Sequence, residues 1–203
     1  MGKKTTGSDR IARWRIVAVA TSLALPAAMS ATPGYAMAMF SPNGLAVTVD
    51  CRLNGVPVTG PTIEGTNDDD VFTCDVFGPG AYFLGGAGND RIEMNHNRYG
   101  IISGNEGADI VKVKINSGLI QSGGGADTIE VDTMAVNQGD VSIRGGDGND
   151  QITVRDNSGQ IQGNAGDDTI TVPFNNGTVD GNEGSDTCRV AGETGTTFNC
   201  EAQ

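Results

Sequence analysis

Residues 145–154 read GGDGNDQITV, and close copies of these ten residues recur along the chain. Upstream copies are GGAGNDRIEM (85–94), GNEGADIVKV (104–113) and SGGGADTIEV (122–131). Downstream copies are GNAGDDTITV (163–172) and GNEGSDTCRV (181–190), and a degenerate copy, GTNDDDVFTC (65–74), precedes them all. Successive copies start 20, 19, 18, 23, 18 and 18 residues apart, so the basic period is 18 and one interval carries five extra residues. A fixed short period marks an architecture of stacked units, each too small to bury a core alone.

Each copy divides into a loop and a strand. Position four is Gly after the first copy (Gly88, Gly107, Gly125, Gly148, Gly166, Gly184). Position two is Gly or Asn (Gly86, Asn105, Gly123, Gly146, Asn164, Asn182). These residue types tolerate positive φ. Position six is Asp in all seven copies: Asp70, Asp90, Asp109, Asp127, Asp150, Asp168 and Asp186. Positions eight and ten are mostly apolar, as in Ile92/Met94, Val111/Val113, Ile152/Val154 and Ile170/Val172. Such alternation predicts a strand with one buried face.

The intervening residues are periodic too. An apolar residue stands two places before each copy after the first (Phe83, Ile102, Ile120, Ile143, Ile161, Val179), preceded by Asn- and Gly-rich turns such as Asn116-Ser117-Gly118 and Asn157-Ser158-Gly159. Each period therefore predicts two short strands and two turns, one coil of a flattened solenoid. The fold expected is all-β, a right-handed parallel β-roll (β-solenoid) of about 18-residue coils. Stacked coils lie about 4.8 Å apart. Position six then forms a file of carboxylates along one edge, and like charges that close repel strongly in a partly buried site. A hard, oxygen-seeking cation relieves this, and calcium takes six to eight oxygens from carboxylates and carbonyls in flexible geometry. A softer metal would call for Cys or His, which the file lacks. A solvated acidic face with Asp as turn former is the plainer alternative, but turns alone do not require Asp at one fixed place in every coil.

The copies resemble the hemolysin-type, or repeats-in-toxin (RTX), calcium-binding repeat G-G-x-G-x-D-x-U-x. Residues 85–93 and 145–153 match it at every fixed position, and the resemblance covers about residues 62–190. It implies calcium held between successive loops on one edge of a β-roll by position-six carboxylates and loop carbonyls. Carried onto this chain, the carboxylate pairs are Asp90–Asp109, Asp109–Asp127, Asp127–Asp150, Asp150–Asp168 and Asp168–Asp186, with Asp70–Asp90 as a sixth in which Asp68 replaces the position-four Gly. The implied carbonyl donors include Gly85, Gly86, Gly88, Gly104, Gly107, Gly145, Gly146, Gly148, Gly163, Gly166, Gly181 and Gly184. About five Ca2+ ions are expected, and six if Asp70 takes part. The chain departs from the pattern in three ways. Its second edge carries Asn-Ser-Gly turns without the Asp, so calcium is expected on one edge only. Ser122 replaces the first Gly of its copy. The five extra residues, near Thr133–Gly139, are expected to bulge from the edge without Asp; otherwise the Asp127–Asp150 pair is lost.

The ends and the composition set the remaining expectations. Lys3, Lys4, Arg10, Arg13 and Arg15 precede an apolar run from Ile16 to Ala31, and Ala36-Met37-Ala38 fits a small-x-small cleavage site. Residues 1–38 therefore read as a Sec-type signal peptide. Residues 39–61 read as an N-terminal cap, 62–190 as the β-roll and 191–203 as a C-terminal cap. The apolar run is too short, and too interrupted by Pro26, for a stable membrane span. Residues 39–203 keep 8 of the 13 bases and 24 of the 25 acids, a net charge of −16. So acidic a chain is no nucleic-acid binder.

Cys51, Cys74, Cys188 and Cys200 form an even set in the exported part, which favours disulfides. Three pairings are open; Cys51–Cys74 and Cys188–Cys200 close the shortest loops, and no close pair supports a zinc site. The sequence has neither H-E-x-x-H nor G-x-S-x-G, and its single histidine, His96, sits in a polar turn. No enzyme is expected. The functional expectation is a secreted, extracellular bacterial protein whose partner is calcium, which drives its folding. The competing expectation is a structural or adhesive solenoid with a protein or glycan partner that the sequence does not identify.

Overall fold

The computed structural model describes residues 48–135, 141–192 and 194–201. The expected signal peptide and the start of the expected N-terminal cap lie outside them. The described chain is strand throughout, wound as a parallel β-solenoid with two sheets. One sheet stacks the second half of each coil: Val71–Phe77, Arg91–Asn97, Ile110–Asn116, Thr128–Met134, Gln151–Asn157, Thr169–Val172 and Thr187–Val190. The other stacks the first half: Thr62–Glu64, Tyr82–Ala87, Ile101–Glu106, Leu119–Gly124, Ser142–Asp147, Gln160–Ala165, Thr178–Glu183 and Thr196–Phe198.

Register follows the repeat without slippage. Ile129 pairs with Ile152 and Val111, and Ile143 with Ile120 and Ile161, so identical repeat positions stand above one another. Period-two alternation sends one column of each sheet inward. Phe72, Ile92, Val111, Ile129, Ile152 and Ile170 meet Phe83, Ile102, Ile120, Ile143, Ile161 and Val179, all fully buried. Each buried isoleucine side chain contributes about 1.5–3 kcal/mol, which one coil cannot collect because its column is covered only by its neighbours. Phe83 stacks on Phe72 at 4.2 Å between ring centroids and widens the core at the first coils.

Disulfides close both ends, Cys51–Cys74 and Cys188–Cys200, the two shortest-loop pairings. At the N-terminal end the parallel order stops. Arg52–Leu53 and Val56–Pro57 form an antiparallel hairpin against Val71–Phe77, turned by Asn54 and Gly55 at positive φ of 52° and 77°. Asn-Gly supplies the left-handed pair such a turn needs. The long interval also resolves. Thr128–Met134 ends and Ser142–Asp147 begins on the edge away from Asp, and both strands keep the register of their neighbours, while residues 136–140, where most of the expected bulge falls, lie outside the described residues.

Candidate metal centre

The loop between the two sheets carries positions two to six. Positions two and four have positive φ in every coil from Gly86/Gly88 to Asn182/Gly184, including the three asparagines Asn105, Asn164 and Asn182. The two left-handed residues fold the loop back so that position six points into the roll. All seven Asp residues are accordingly buried, at 1–2% exposure.

One oxygen of each carboxylate has a fixed job. The backbone N–H of Asp90 donates to Asp109 Oδ1 at 2.7 Å, that of Asp109 to Asp127 Oδ1 at 2.7 Å, and that of Asp150 to Asp168 Oδ1 at 2.8 Å. The same bond joins Asp70 to Asp90, Asp127 to Asp150 and Asp168 to Asp186 at 2.9 Å. The Asp127–Asp150 bond spans the long interval, so the two residues remain neighbours in the file.

The second oxygen has no such partner. Oδ2 of Asp90, Asp109, Asp127, Asp150, Asp168 and Asp186 is buried without a hydrogen bond. Unpaired buried polar atoms are rare in native proteins, and a charged one is costly. Burial pushes the carboxyls of Asp90, Asp109, Asp127, Asp150 and Asp168 up from the ordinary value, against the pull of the backbone N–H, and nearby carboxylates add to the rise at all of these but Asp127. Asp109 and Asp168 rise to about 6 and Asp150 to about 7. Asp90 and Asp127 are raised for the same first reason.

Asp70 is different. Burial acts upward on it too, but donors outweigh that and leave it below the ordinary value. Its Oδ2 accepts from Thr66 N–H at 2.6 Å and Thr66 Oγ1 at 3.0 Å, and its Oδ1 accepts from Asn54 Nδ2. Asn54 of the N-terminal hairpin and Thr66 of the Asp70 loop thus close the file with neutral donors.

Position one explains its own glycine. Gly85, Gly104, Gly145, Gly163 and Gly181 do not have positive φ. A Cβ on any of them would stand well inside 3.0 Å of two oxygens, its own coil's Asp Oδ2 and the position-one carbonyl of the next coil. Those carbonyls belong to Gly104, Ser122, Gly163, Gly181 and Asn199 in turn. Two acceptors therefore border one small buried space, with no hydrogen between them. The position-four carbonyls run up the stack instead, those of Gly88, Gly107, Gly148 and Gly166 lying against the next coil's position-four glycine, while Gly86 and Gly146 take the position-two turn.

This donor set fits a hard divalent cation. Every inward group is an oxygen, and six of them are buried without a hydrogen. Among the described residues no three His, Cys, Asp or Glu side chains form a metal cluster, so a cation here would draw mainly on carbonyls beside one or two carboxylates.

Two features were missed by the sequence reading. The Asn54 cap is one; the Asn54-Gly55 turn signal could have placed the hairpin but not its bond to Asp70. The other is an outer file at position five. Asn89 N–H donates to Asp69 Oδ1, Ala108 N–H to Asn89 Oδ1, Asp167 N–H to Asn149 Oδ1 and Ser185 N–H to Asp167 Oδ1, at 2.7–2.9 Å. Ala108 and Ala126 interrupt it.

Comparison with known families matches the RTX calcium-binding nonapeptide repeat in four copies, over residues 82–93, 130–156 and 156–172. No curated protein and no solved structure matches the chain. The orphaned carboxylates, the glycine-lined loops and the matched repeats converge: the chain is a parallel β-solenoid carrying RTX calcium-binding nonapeptide repeats.

Proposed function

We propose that this protein is a secreted calcium-binding module, without catalytic role, in which Ca2+ held between successive loops of one edge drives folding of the roll. The observation that carries this reading is the file of buried Oδ2 atoms with no donor. Without a cation each of them opposes the stacking that supplies the core, so binding and folding are coupled. Asp90, Asp109, Asp127, Asp150, Asp168 and Asp186 supply the charge, and the position-one carbonyls beside them supply neutral oxygens. When bound, calcium supplies the positive charge that the file lacks; the protein's part is to orient the carboxylates through Oδ1 and to exclude water from Oδ2. Secretion is supported by two disulfides, which persist in an oxidising compartment. Extracellular calcium modules bind at about 10⁻⁴–10⁻³ M, a range that leaves the chain loose inside the cell and folded outside.

The test is far-UV circular dichroism of the disulfide-bonded protein titrated with Ca2+, with Mg2+ as control. A cooperative gain of β signal with Ca2+ alone is expected. A spectrum already folded and unmoved by chelator would overturn calcium-driven folding.

A second reading makes calcium structural and puts the work on the outer face of the first sheet. There Glu93, Lys112, Glu130, Lys114, Asp132 and Arg155 line an open groove of about 640 Å³. Charges of alternating sign along it, such as Lys112 against Glu130 at 2.7 Å, suit a polar partner such as a glycan. Loss of surface or glycan binding in Lys114→Glu with calcium binding unchanged would favour this reading.

A further inference from the structure

Ser122 is the one residue at position one, from Gly85 to Gly181, that carries a side chain. It is fully buried, and its hydroxyl donates to the Gly145 carbonyl oxygen at 2.8 Å. That carbonyl is the position-one oxygen of the following coil, the group that elsewhere faces an orphaned carboxylate with nothing between them. In the other coils the Asp Oδ2 fills the place where a Cβ would stand. In this coil the serine side chain holds that place and gives its one hydrogen to the Gly145 carbonyl. The same coil breaks the pattern on the opposite edge. Met134 occupies the place of the buried Asn97, Asn116, Asn157 and Asn175, and the five extra residues follow it.

We propose that the Ser122 side chain takes the place of a cation between Asp127 and Asp150, so that calcium fills two separate groups of sites. One group lies at the steps Asp90–Asp109 and Asp109–Asp127, the other at Asp150–Asp168 and Asp168–Asp186. The step between them is held by the serine hydrogen bond and the Asp127 N–H bond to Asp150, which need no metal. This rests on the calcium reading above and names which step of the file departs from it.

The experiment is native mass spectrometry of the full disulfide-bonded chain at saturating Ca2+, comparing wild type with Ser122→Gly and Ser122→Ala. Ser122→Gly is expected to bind one more ion than wild type, and Ser122→Ala the same number, since its methyl group still fills the place. Equal counts in wild type and Ser122→Gly, or a gain in Ser122→Ala, would overturn the proposal while leaving calcium binding intact. No ions on any of the three would overturn the calcium reading and this proposal together. A second pair of variants reads the same asymmetry if Ser122→Gly does not fold. Asp168→Asn borders two filled steps and is expected to lose two ions, whereas Asp127→Asn borders one and is expected to lose one; equal losses would overturn the proposal.

Discussion

The two edges of the roll solve one problem with side chains that differ by a single group. On the second edge Asn97, Asn116, Asn157 and Asn175 are buried at 0–2% exposure, as deeply as the Asp residues opposite. Each accepts a local backbone bond on its carbonyl oxygen; Gly159 N–H, for example, donates to Asn157 Oδ1 at 2.8 Å. Each pair then closes with its own donor: Asn97 Nδ2 to Asn116 Oδ1 and Asn157 Nδ2 to Asn175 Oδ1, both at 2.8 Å. The Asp edge also accepts a backbone bond on Oδ1, but where Asn has NH2 it has only Oδ2, left without a partner. An amide file satisfies itself. A carboxylate file has no such donor of its own, so the calcium dependence proposed above would rest on one edge only.

The sharpest way to break the contrast is to put a carboxylate on the amide edge. Asn157→Asp removes the donor to Asn175 and buries a charge far from the metal loops, with an expected loss of about 3 kcal/mol. Urea unfolding in saturating calcium measures it, and an unchanged midpoint would show that this edge tolerates charge.

Next comes pH. The folded carboxyls of Asp109, Asp150 and Asp168 lie at about 6–7, above their unfolded value near 3.8. A raised folded pKa means that the folded state holds the proton more tightly. Their contribution to stability is therefore fully present below about pH 4 and lost as pH rises through 6–7. The calcium-free roll is expected to melt at a higher temperature at pH 5 than at pH 8. With calcium the order reverses, because protons compete for the same oxygens. Thermal melts at both pH values, with and without chelator, read both signs.

A smaller effect is expected from making the metal edge resemble the other. Asp150→Asn offers Nδ2 to the Gly163 carbonyl and is expected to stabilise the calcium-free roll by about 1–2 kcal/mol while weakening its response to calcium. A chelator-treated variant less stable than wild type would mean that the amide does not find that carbonyl. Smallest is Asn89→Ala on the exposed position-five file, which removes acceptance from Ala108 N–H and is expected to cost about 0.5–1 kcal/mol. Amide exchange at Ala108 is the local readout.

Much of this contrast is legible in the sequence. Period 18 gives the coil, alternation gives the inward columns, and positions two and four announce the left-handed turns later seen from Gly86 to Gly184. The fixed Asp names the charged edge, and the Asn turns name the neutral one. Other features are hidden because they join residues one coil apart through backbone atoms. The bond from Asp150 N–H to Asp168 Oδ1 leaves no side-chain signature at its donor end. The need for glycine at position one is likewise invisible: Gly163 is required not by its own φ but by a carboxylate five residues on that fills its missing side chain. Asn54 escapes for a third reason, since a cap is used once and has no period to reveal it.

The position of the disulfides bears on how such a stack comes apart. Coils touch only their neighbours, so a solenoid loosens first where a coil has a neighbour on one side only, at its two ends. Cys51–Cys74 ties the hairpin to the first sheet strand of the roll, and Cys188–Cys200 ties the last such strand to the final turn. With both ends sewn, peeling cannot start where it starts most easily. Opening must then begin inside the stack, so an oxidised roll would open like a book and a reduced one would unravel like a thread.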